Sequence, residues 1–176
     1  WQKELFEYSK KIGIKCFSTP FDLKALEVLE KINLTFNKVS SFEMNDLELI
    51  SKIAQTRKKI IISTGLASLK EIEKAFNIAY KNKAKEINLL YCVSIYPASI
   101  DDFHLENIKI LKDKFDCEVG LSDHSIDNKV ATVAAAMGAT IFEKHIALEN
   151  QKKSPDIKFS LKGKKQITEY KKDIIL

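Results

Sequence analysis

Two histidines carry the most specific chemistry this sequence offers. His124 closes the run Gly120-Leu-Ser-Asp-His124, and His145 closes Ile141-Phe-Glu-Lys-His145. Each run has the composition of a buried strand, each histidine falls at its strand's C-terminal end, and one helix-length segment separates them. In a parallel α/β sheet that spacing sets two imidazoles side by side on the face where such folds build their active sites. Two neutral imidazoles with open positions beside them suit a catalytic divalent metal. The competing reading is two separate histidines, each hydrogen-bonded in place. Asp123 and Glu143 are candidates to orient the rings, or else ordinary strand-end carboxylates. His104 starts a helix and is expected to be exposed.

A second set of residues is rich in hydroxyls. Thr19, Ser41, Ser63 and Ser122 stand at strand ends, where small hydroxyls and freed backbone amides can cradle a phosphate. Taken singly, each serine reads as a cap or a turn. Lys38 begins a strand of otherwise small and apolar residues, where it can meet a phosphate or a carboxylate. Glu43, after Ser40-Ser41-Phe42, is a candidate general base or a hold on substrate hydroxyls; the alternative is a loop carboxylate. Tyr96 ends another strand unit beside Pro97, where it can simply pack. Asp156 lies in the loop after the last strand, with solvation as the default. The sequence has no Gly-x-Gly-x-x-Gly, no Cys-x-x-Cys and no serine-hydrolase elbow, which disfavours dinucleotide binding, structural zinc and serine hydrolysis.

The elements that must position these residues alternate along the chain. Apolar spacing predicts a helix over 2–12, ended by Gly13, and then a strand over 14–18. Asp22 is placed to cap a helix running to Ile32, and strand 37–41 follows. Asn45 is placed to cap a helix running to Gln55, with strand 60–63 next. Ser68 and Glu71 form a capping box for the helix from Leu69 to Lys81. Strand 87–93, helix 105–115, strand 117–121, the Ala-rich helix 128–137 and strand 139–143 complete the alternation, before a polar loop and a last helical stretch. Repeated strand–helix units mean a parallel sheet with helices outside it. A doubly wound open sheet and a (β/α)8 barrel both fit. An open sheet concentrates its site at one switch point, whereas here polar residues sit at every strand end. The reading is therefore a partial (β/α)8 barrel, six of eight strand–helix units, strands three to eight, over residues 1–176.

Composition limits what such a segment does. The chain has 176 residues, 45% of them hydrophobic, enough for a sizeable core. Its apolar runs are too short to cross a bilayer, and Trp1-Gln-Lys-Glu is amphipathic rather than a secretory leader. Three widely spaced cysteines read as buried, reduced thiols in a cytoplasmic protein. The net charge is +5, but Arg57 is the only arginine and the lysines are dispersed, which argues against nucleic acid as a partner. The chain does not begin with Met and stops within a helical pattern, so a segment of a longer protein is expected.

Taken together, several runs resemble the sialic acid synthase (NeuB-like) family of phosphoenolpyruvate-condensing enzymes. They are Phe17-Ser-Thr-Pro-Phe21, Lys38-Val-Ser-Ser-Phe-Glu43, Ile62-Ser-Thr-Gly65, Cys92-Val-Ser-Ile-Tyr-Pro97, Gly120-Leu-Ser-Asp-His124, Glu143-Lys-His145 and Pro155-Asp156, in the family's order across nearly the whole chain. The resemblance implies a transferase that joins phosphoenolpyruvate to an open-chain acetamido sugar, giving a nine-carbon 2-keto sugar acid for cell-surface glycans. It implies His124 and His145 as ligands of a divalent metal, usually Mn²⁺, with Mg²⁺ or Co²⁺ as alternatives. Thr19, Lys38, Ser41, Ser63 and Ser122 match positions that hold phosphoenolpyruvate. Glu43, Tyr96 and Asp156 match positions near the sugar, and Glu43 is a catalytic candidate alongside the two histidines. The form Ser41-Phe42-Glu43, with Phe159-Ser160-Leu161 after the late aspartate, is most similar to pseudaminic acid synthases, whose substrate is a 6-deoxy diacetamido hexose. N-acetylneuraminate and legionaminic acid synthases are the rival readings, and a non-catalytic barrel remnant is a third.

Three departures bear on this. On this resemblance residues 1–176 are expected to lack the family's N-terminal strands and its C-terminal antifreeze-like (SAF) domain, which in the family reaches into a partner's site in the homodimer. Ser154-Pro155-Asp156 replaces Gly-Pro-Asp, and the run after His145 differs, so a displaced loop around Asp156 is the expectation. By itself the segment is expected to be inactive.

Overall fold

Strands rich in isoleucine, leucine and valine alternate with amphipathic stretches, and each such stretch carries the chain back so that the next strand runs parallel to the last. The computed structural model describes residues 2–175; Trp1 and Leu176, which the sequence reading places in terminal helical stretches, lie outside the described residues. In chain order the elements are α1 Gln2–Lys11, α2 Leu23–Ile32, β1 Phe36–Val39, α3 Leu47–Gln55, β2 Lys59–Ser63, α4 Leu69–Lys81, β3 Glu86–Cys92, α5 Glu106–Lys114, β4 Val119–Asp123, α6 Lys129–Ala136, β5 Phe142–Lys144, β6 Ile146–Ala147, β7 Leu161–Lys162 and α7 Gly163–Asp173. Strands β1 to β5 are parallel and stand in sequence order. No helix among the described residues is long and apolar enough to cross a membrane.

The sheet has five strands where the sequence reading has six. Residues 14–18 form no regular element: the Lys38 N–H donates to the Ser18 carbonyl at 3.3 Å, but no ladder forms there among the described residues. Ile14 is 61% exposed, but Cys16 packs on the Phe6–Leu29–Leu34 cluster and the Phe17 ring lies 4.2 Å from that of Phe36, so side-chain packing and one backbone bond hold the segment in place of a ladder.

The chain divides into two compact units. The first comprises Trp1–Ile62 with Ala67–Asn88, and the second Ser63–Leu66 with Leu89–Leu176, so the division passes through β2 and β3.

Caps set the helices of the first unit. Asp22 accepts the Ala25 N–H at 2.7 Å, and Asn33 ends α2 in the left-handed region. Asp46, not Asn45, caps α3, accepting from the Leu49 N–H at 2.9 Å. The Ser68–Glu71 capping box starts α4 as expected. Helices α3 and α4 pack together and bury Ile50, Ile53 and Ala54 with Ile72, Ala75 and Ala79. Strand β1 runs beside β2 with Asn37 opposite Ile60 and Lys38 opposite Ile61.

In the second unit β4 is buried along its whole length, as a strand covered on both faces must be. Gly120 is required there: a β-carbon at this position would run into the backbone carbonyl of Ile141, which accepts the Leu121 N–H at 2.8 Å. Small side chains let α6 pack on β4. Helix α7 packs on α6, where the Asn128 side-chain amide donates to Asp173 at 2.7 Å. The short strands β6 and β7 pair in parallel, and the Leu161 N–H donates to the His145 carbonyl at 2.9 Å.

Candidate active site

The site in the second unit follows from one register. Strands β4 and β5 pair with Ser122 opposite Glu143 and Asp123 opposite Lys144. One step further sets His124 against His145. Side chains alternate faces along a strand, so the first and third of these pairs share a face and the middle pair takes the other. The contacts agree. Ser122 Oγ donates to Glu143 Oε1 at 2.8 Å, and the imidazole centroids of His124 and His145 are 5.4 Å apart at 62°. On the other face, Lys144 Nζ stands 3.0 Å from Asp123 Oδ2.

Neighbouring groups fix the protons on both rings. His124 Nδ1–H donates to the Val93 carbonyl at 3.0 Å and lies 3.9 Å from Cys92 Sγ. A carbonyl only accepts, so the lone pair of a neutral His124 is on Nε2. His145 Nδ1 faces Asp156 Oδ2 at 3.4 Å, which favours the same tautomer. Burial opposes a charge on His124, but the Cys92 and Val93 contacts, with the Cys92 and Glu143 charges behind them, outweigh it and raise its pKa. Burial, then the neighbouring His124, lowers that of His145 despite Asp156 and Glu143. Two imidazoles with free Nε2 lone pairs fit a divalent ion. Among the described residues no group of three or more His, Cys, Asp or Glu is arranged to hold a metal. To a divalent ion the pair would offer two protein nitrogens, with further positions open to water or substrate.

Aromatic rings surround the pair. Tyr96 lies 4.3 Å from His124 between centroids, and Phe159 lies 5.0 Å from His145 and 5.7 Å from Tyr96. Phe159 is 3% exposed and anchors this group. Asp156 sits in a short 3₁₀ turn, Pro155–Lys158, whose N-cap Ser154 accepts from the Asp156 N–H. The variant Ser-Pro-Asp loop therefore keeps Asp156 against His145.

Of the two readings of Asp123, ring orienter or strand-end carboxylate, the first does not hold. Asp123 does not touch an imidazole. Fully buried, it accepts the Ser125 N–H at 2.8 Å and Ser125 Oγ–H at 2.6 Å on Oδ1, and Lys144 and the Tyr170 hydroxyl, at 3.1 Å, on Oδ2. Lys144 also donates to the Ser125 carbonyl at 2.5 Å. Burial lowers the Lys144 pKa although Asp123 opposes it, and burial together with the Asp123 charge pushes the Tyr170 phenol far up. Glu143 does share the imidazole face, with its carboxylate held by Ser122.

The remaining candidates take simpler positions. Ser63 is 2% exposed with an unpartnered hydroxyl, a buried polar atom of the kind a ligand satisfies. In the first unit Lys38 and Ser41 are buried and Thr19 is half-buried, on the segment that the Ser18–Lys38 bond holds beside β1. Glu43 is half-buried and accepts a hydrogen bond from Ser40 Oγ. The side chain of His104 is 70% exposed, as expected. None of the three cysteines is in a disulfide, only Cys92 is buried, and burial lifts the half-buried Cys117 to about 11.

Sequence reasoning passed over Lys144 and Tyr170 as members of the site's support, and Asn37, whose side-chain amide is buried with both polar atoms unpartnered. A polar side chain in the middle of a buried strand was the available signal for Asn37. Nothing local marks Tyr170.

Comparison with known proteins adds independent findings. The NeuB family matches residues 1–174. An N,N'-diacetyllegionaminic acid synthase of Campylobacter jejuni is 43% identical over 161 residues, covering 90% of this chain and 48% of that protein. A pseudaminic acid synthase of Helicobacter pylori is 39% identical over 178 residues, covering 100% of this chain and 52% of that protein. The chain spans about half the length of these curated relatives. The crystal structure of an N-acetylneuraminic acid synthetase from Leptospira borgpetersenii, in complex with citrate, superposes with a TM-score of 0.91 at 35% identity, covering 98% of this chain and 61% of that one. The alternation of strands and helices is thus a segment of a (β/α)8 barrel, not a doubly wound open sheet.

Proposed function

The chain belongs to the NeuB family, and on that premise we propose that the protein carrying it condenses phosphoenolpyruvate with an open-chain acetamido sugar to make a nine-carbon 2-keto sugar acid, with a 6-deoxy diacetamido hexose as the sugar. The observation that carries the reading is the imidazole pair at the ends of β4 and β5, with Tyr96 on one ring and Asp156 on the other. A divalent ion bound there, Mn²⁺ in this reading, supplies Lewis-acid polarisation of the sugar's aldehyde. The alkene carbon of phosphoenolpyruvate forms the new bond to the aldehyde carbon, water adds at C2, and collapse of that centre breaks the C–O bond and releases phosphate.

The chain's own groups suit this work. Val93 and Asp156 hold the Nδ1 protons, which leaves both Nε2 lone pairs forward. The unpartnered Ser63 hydroxyl is a donor for an anion, and Ser122 is tied to Glu143 within the same unit. In the first unit, buried Lys38 offers a positive charge for the phosphate or carboxylate of phosphoenolpyruvate, with Thr19 and Ser41 as hydroxyl donors. Glu43 is assigned to sugar or water protons. Tyr96, Phe159 and half-exposed Asp156 offer an apolar wall and a carboxylate to an acetamido sugar. Overall identity to the legionaminic and pseudaminic acid synthases is similar, at 43% and 39%; the choice of sugar rests on Phe42, 66% exposed beside Glu43 in place of the glycine of many N-acetylneuraminate synthases, together with Phe159-Ser160-Leu161 after Asp156. Cytoplasmic location and a homodimeric parent belong to the same reading.

The test is phosphate release by the full-length protein given phosphoenolpyruvate and Mn²⁺, with the 6-deoxy diacetamido sugar or with N-acetylmannosamine. Release with the first sugar alone, abolished by His124→Ala and by His145→Ala, is the expected result. Release with N-acetylmannosamine alone reassigns the substrate. Full activity in both histidine variants removes the metal reading.

A further inference from the structure

The face of β4 and β5 turned away from the imidazoles holds a buried ion pair. Asp123 has 0% of its side chain exposed and Lys144 5%, and they lie 3.0 Å apart. Each stands one residue before a histidine of the site. Lys144 grips His124 from both sides in the chain, through the Asp123 side chain before it and the Ser125 carbonyl after it at 2.5 Å. Ser125 closes the loop by donating to Asp123, and Tyr170 reaches in from α7 to the same carboxylate.

Strand β5 explains why such a device matters. It is three residues long and only half-buried, so its own ladder and apolar packing specify register weakly. A one-residue slip would turn His145 to the opposite face and break up the pair of rings. The same slip would leave a buried ammonium and a buried carboxylate unpaired, which strongly disfavours it. Apolar residues of the same volume would fill this layer with less desolvation cost, but without register information.

We propose that Asp123, Lys144 and Tyr170 are positioning residues that lock β5 in register against β4 and thereby set the separation at which His124 and His145 together reach one divalent cation. The inference rests on the metal-binding reading above. Asp123 and Lys144 act through the backbone of the residues they precede, and Tyr170 acts through Asp123.

The experiment uses the full-length protein and Mn²⁺ alone, with bound ion read by electron paramagnetic resonance and folding read by circular dichroism and thermal melting. Lys144→Met keeps the apolar stem and removes the ammonium. Tyr170→Phe keeps the ring and removes the hydroxyl, and it decides the matter if Lys144→Met does not fold. His145→Ala calibrates the loss of one imidazole. The expected result is a rise in the Mn²⁺ dissociation constant of about 10–100-fold in folded Lys144→Met, the range for outer-shell metal partners, with a smaller rise in Tyr170→Phe and partial recovery in Lys144→Arg. A lowered melting temperature with Mn²⁺ affinity unchanged in the folded variants overturns the positioning role and leaves the proposed function standing. Wild-type protein that takes no Mn²⁺, or His145→Ala that binds it as well as wild type, defeats the metal reading and this inference with it.

Discussion

Tyr170→Phe gives the cleanest measure of what the buried carboxylate needs. Tyr170 is 4% exposed, and its hydroxyl donates to Asp123 Oδ2 at 3.1 Å. The phenylalanine ring fills the same space, so no cavity opens, and the change reduces to one lost donor on a buried anion. Hydrogen bonds to charged groups contribute about 1.5–3 kcal/mol. Because Ser125 and Lys144 still donate to Asp123, the lower part of that range, about 1.5–2 kcal/mol, is expected. Denaturant titration at pH 7 should show it as a lower midpoint with an unchanged slope. The pH dependence has a definite sign. Burial and the Asp123 charge raise the Tyr170 phenol in the folded state. Its contribution is therefore fully present below the unfolded value of about 10 and is lost as the pH rises through the folded one. The gap between wild type and variant should be flat from about pH 7 to 9 and narrow above pH 10, with the other tyrosines common to both proteins. Equal stability at pH 7, or a gap that widens above pH 10, would refute the reasoning.

Other expectations follow from single contacts. Gly120→Ala drives a β-carbon into the Ile141 carbonyl and should cost about 1–3 kcal/mol or more as the strands separate, read as a lower melting temperature. Ser68→Ala should shorten or fray α4, and the deficit measured near neutral pH should shrink in acid. Hydrogen bonds from Ser68 hold the Glu71 carboxyl low, so that interaction is present above the unfolded value and lost as the pH falls through the folded one. Lys38→Ala should raise the KM for phosphoenolpyruvate far more than that for the sugar; equal rises for both would contradict its assignment to the anion.

Much of the site was written in period-two patterning. The serine, aspartate and histidine of residues 122–124 end a fully buried strand and the glutamate, lysine and histidine of 143–145 a half-buried one, and both histidines land at the strand ends where expected. The helix caps at Asp22 and Ser68 were equally legible, because their chemistry is local. Of the two readings open for Asp123, alternation along the strand already turns it from His124 and disfavours the ring orienter; what local sequence could not supply was the register that gives it Lys144 as partner. Tyr170 was invisible because its partner is distant in the chain. Residues 14–18 have strand composition, yet composition cannot say whether a neighbour's backbone groups meet them. Asp46 rather than Asn45 caps α3, a one-residue choice between two good caps that only the backbone decides.

The hydroxyl that completes the Asp123 cluster lies 47 residues downstream of that carboxylate. At translation rates of 5–20 residues per second, about 2–9 s pass between the synthesis of Asp123 and that of Tyr170. Lys144 and His145 follow Asp123 by 21 and 22 residues, so for roughly the second half of that interval the nascent chain holds both histidines and Lys144 while the carboxylate still lacks the Tyr170 donor. On the positioning role proposed above, the final setting of the histidine pair waits for α7, the last helix of the chain described, to bring Tyr170 to Asp123.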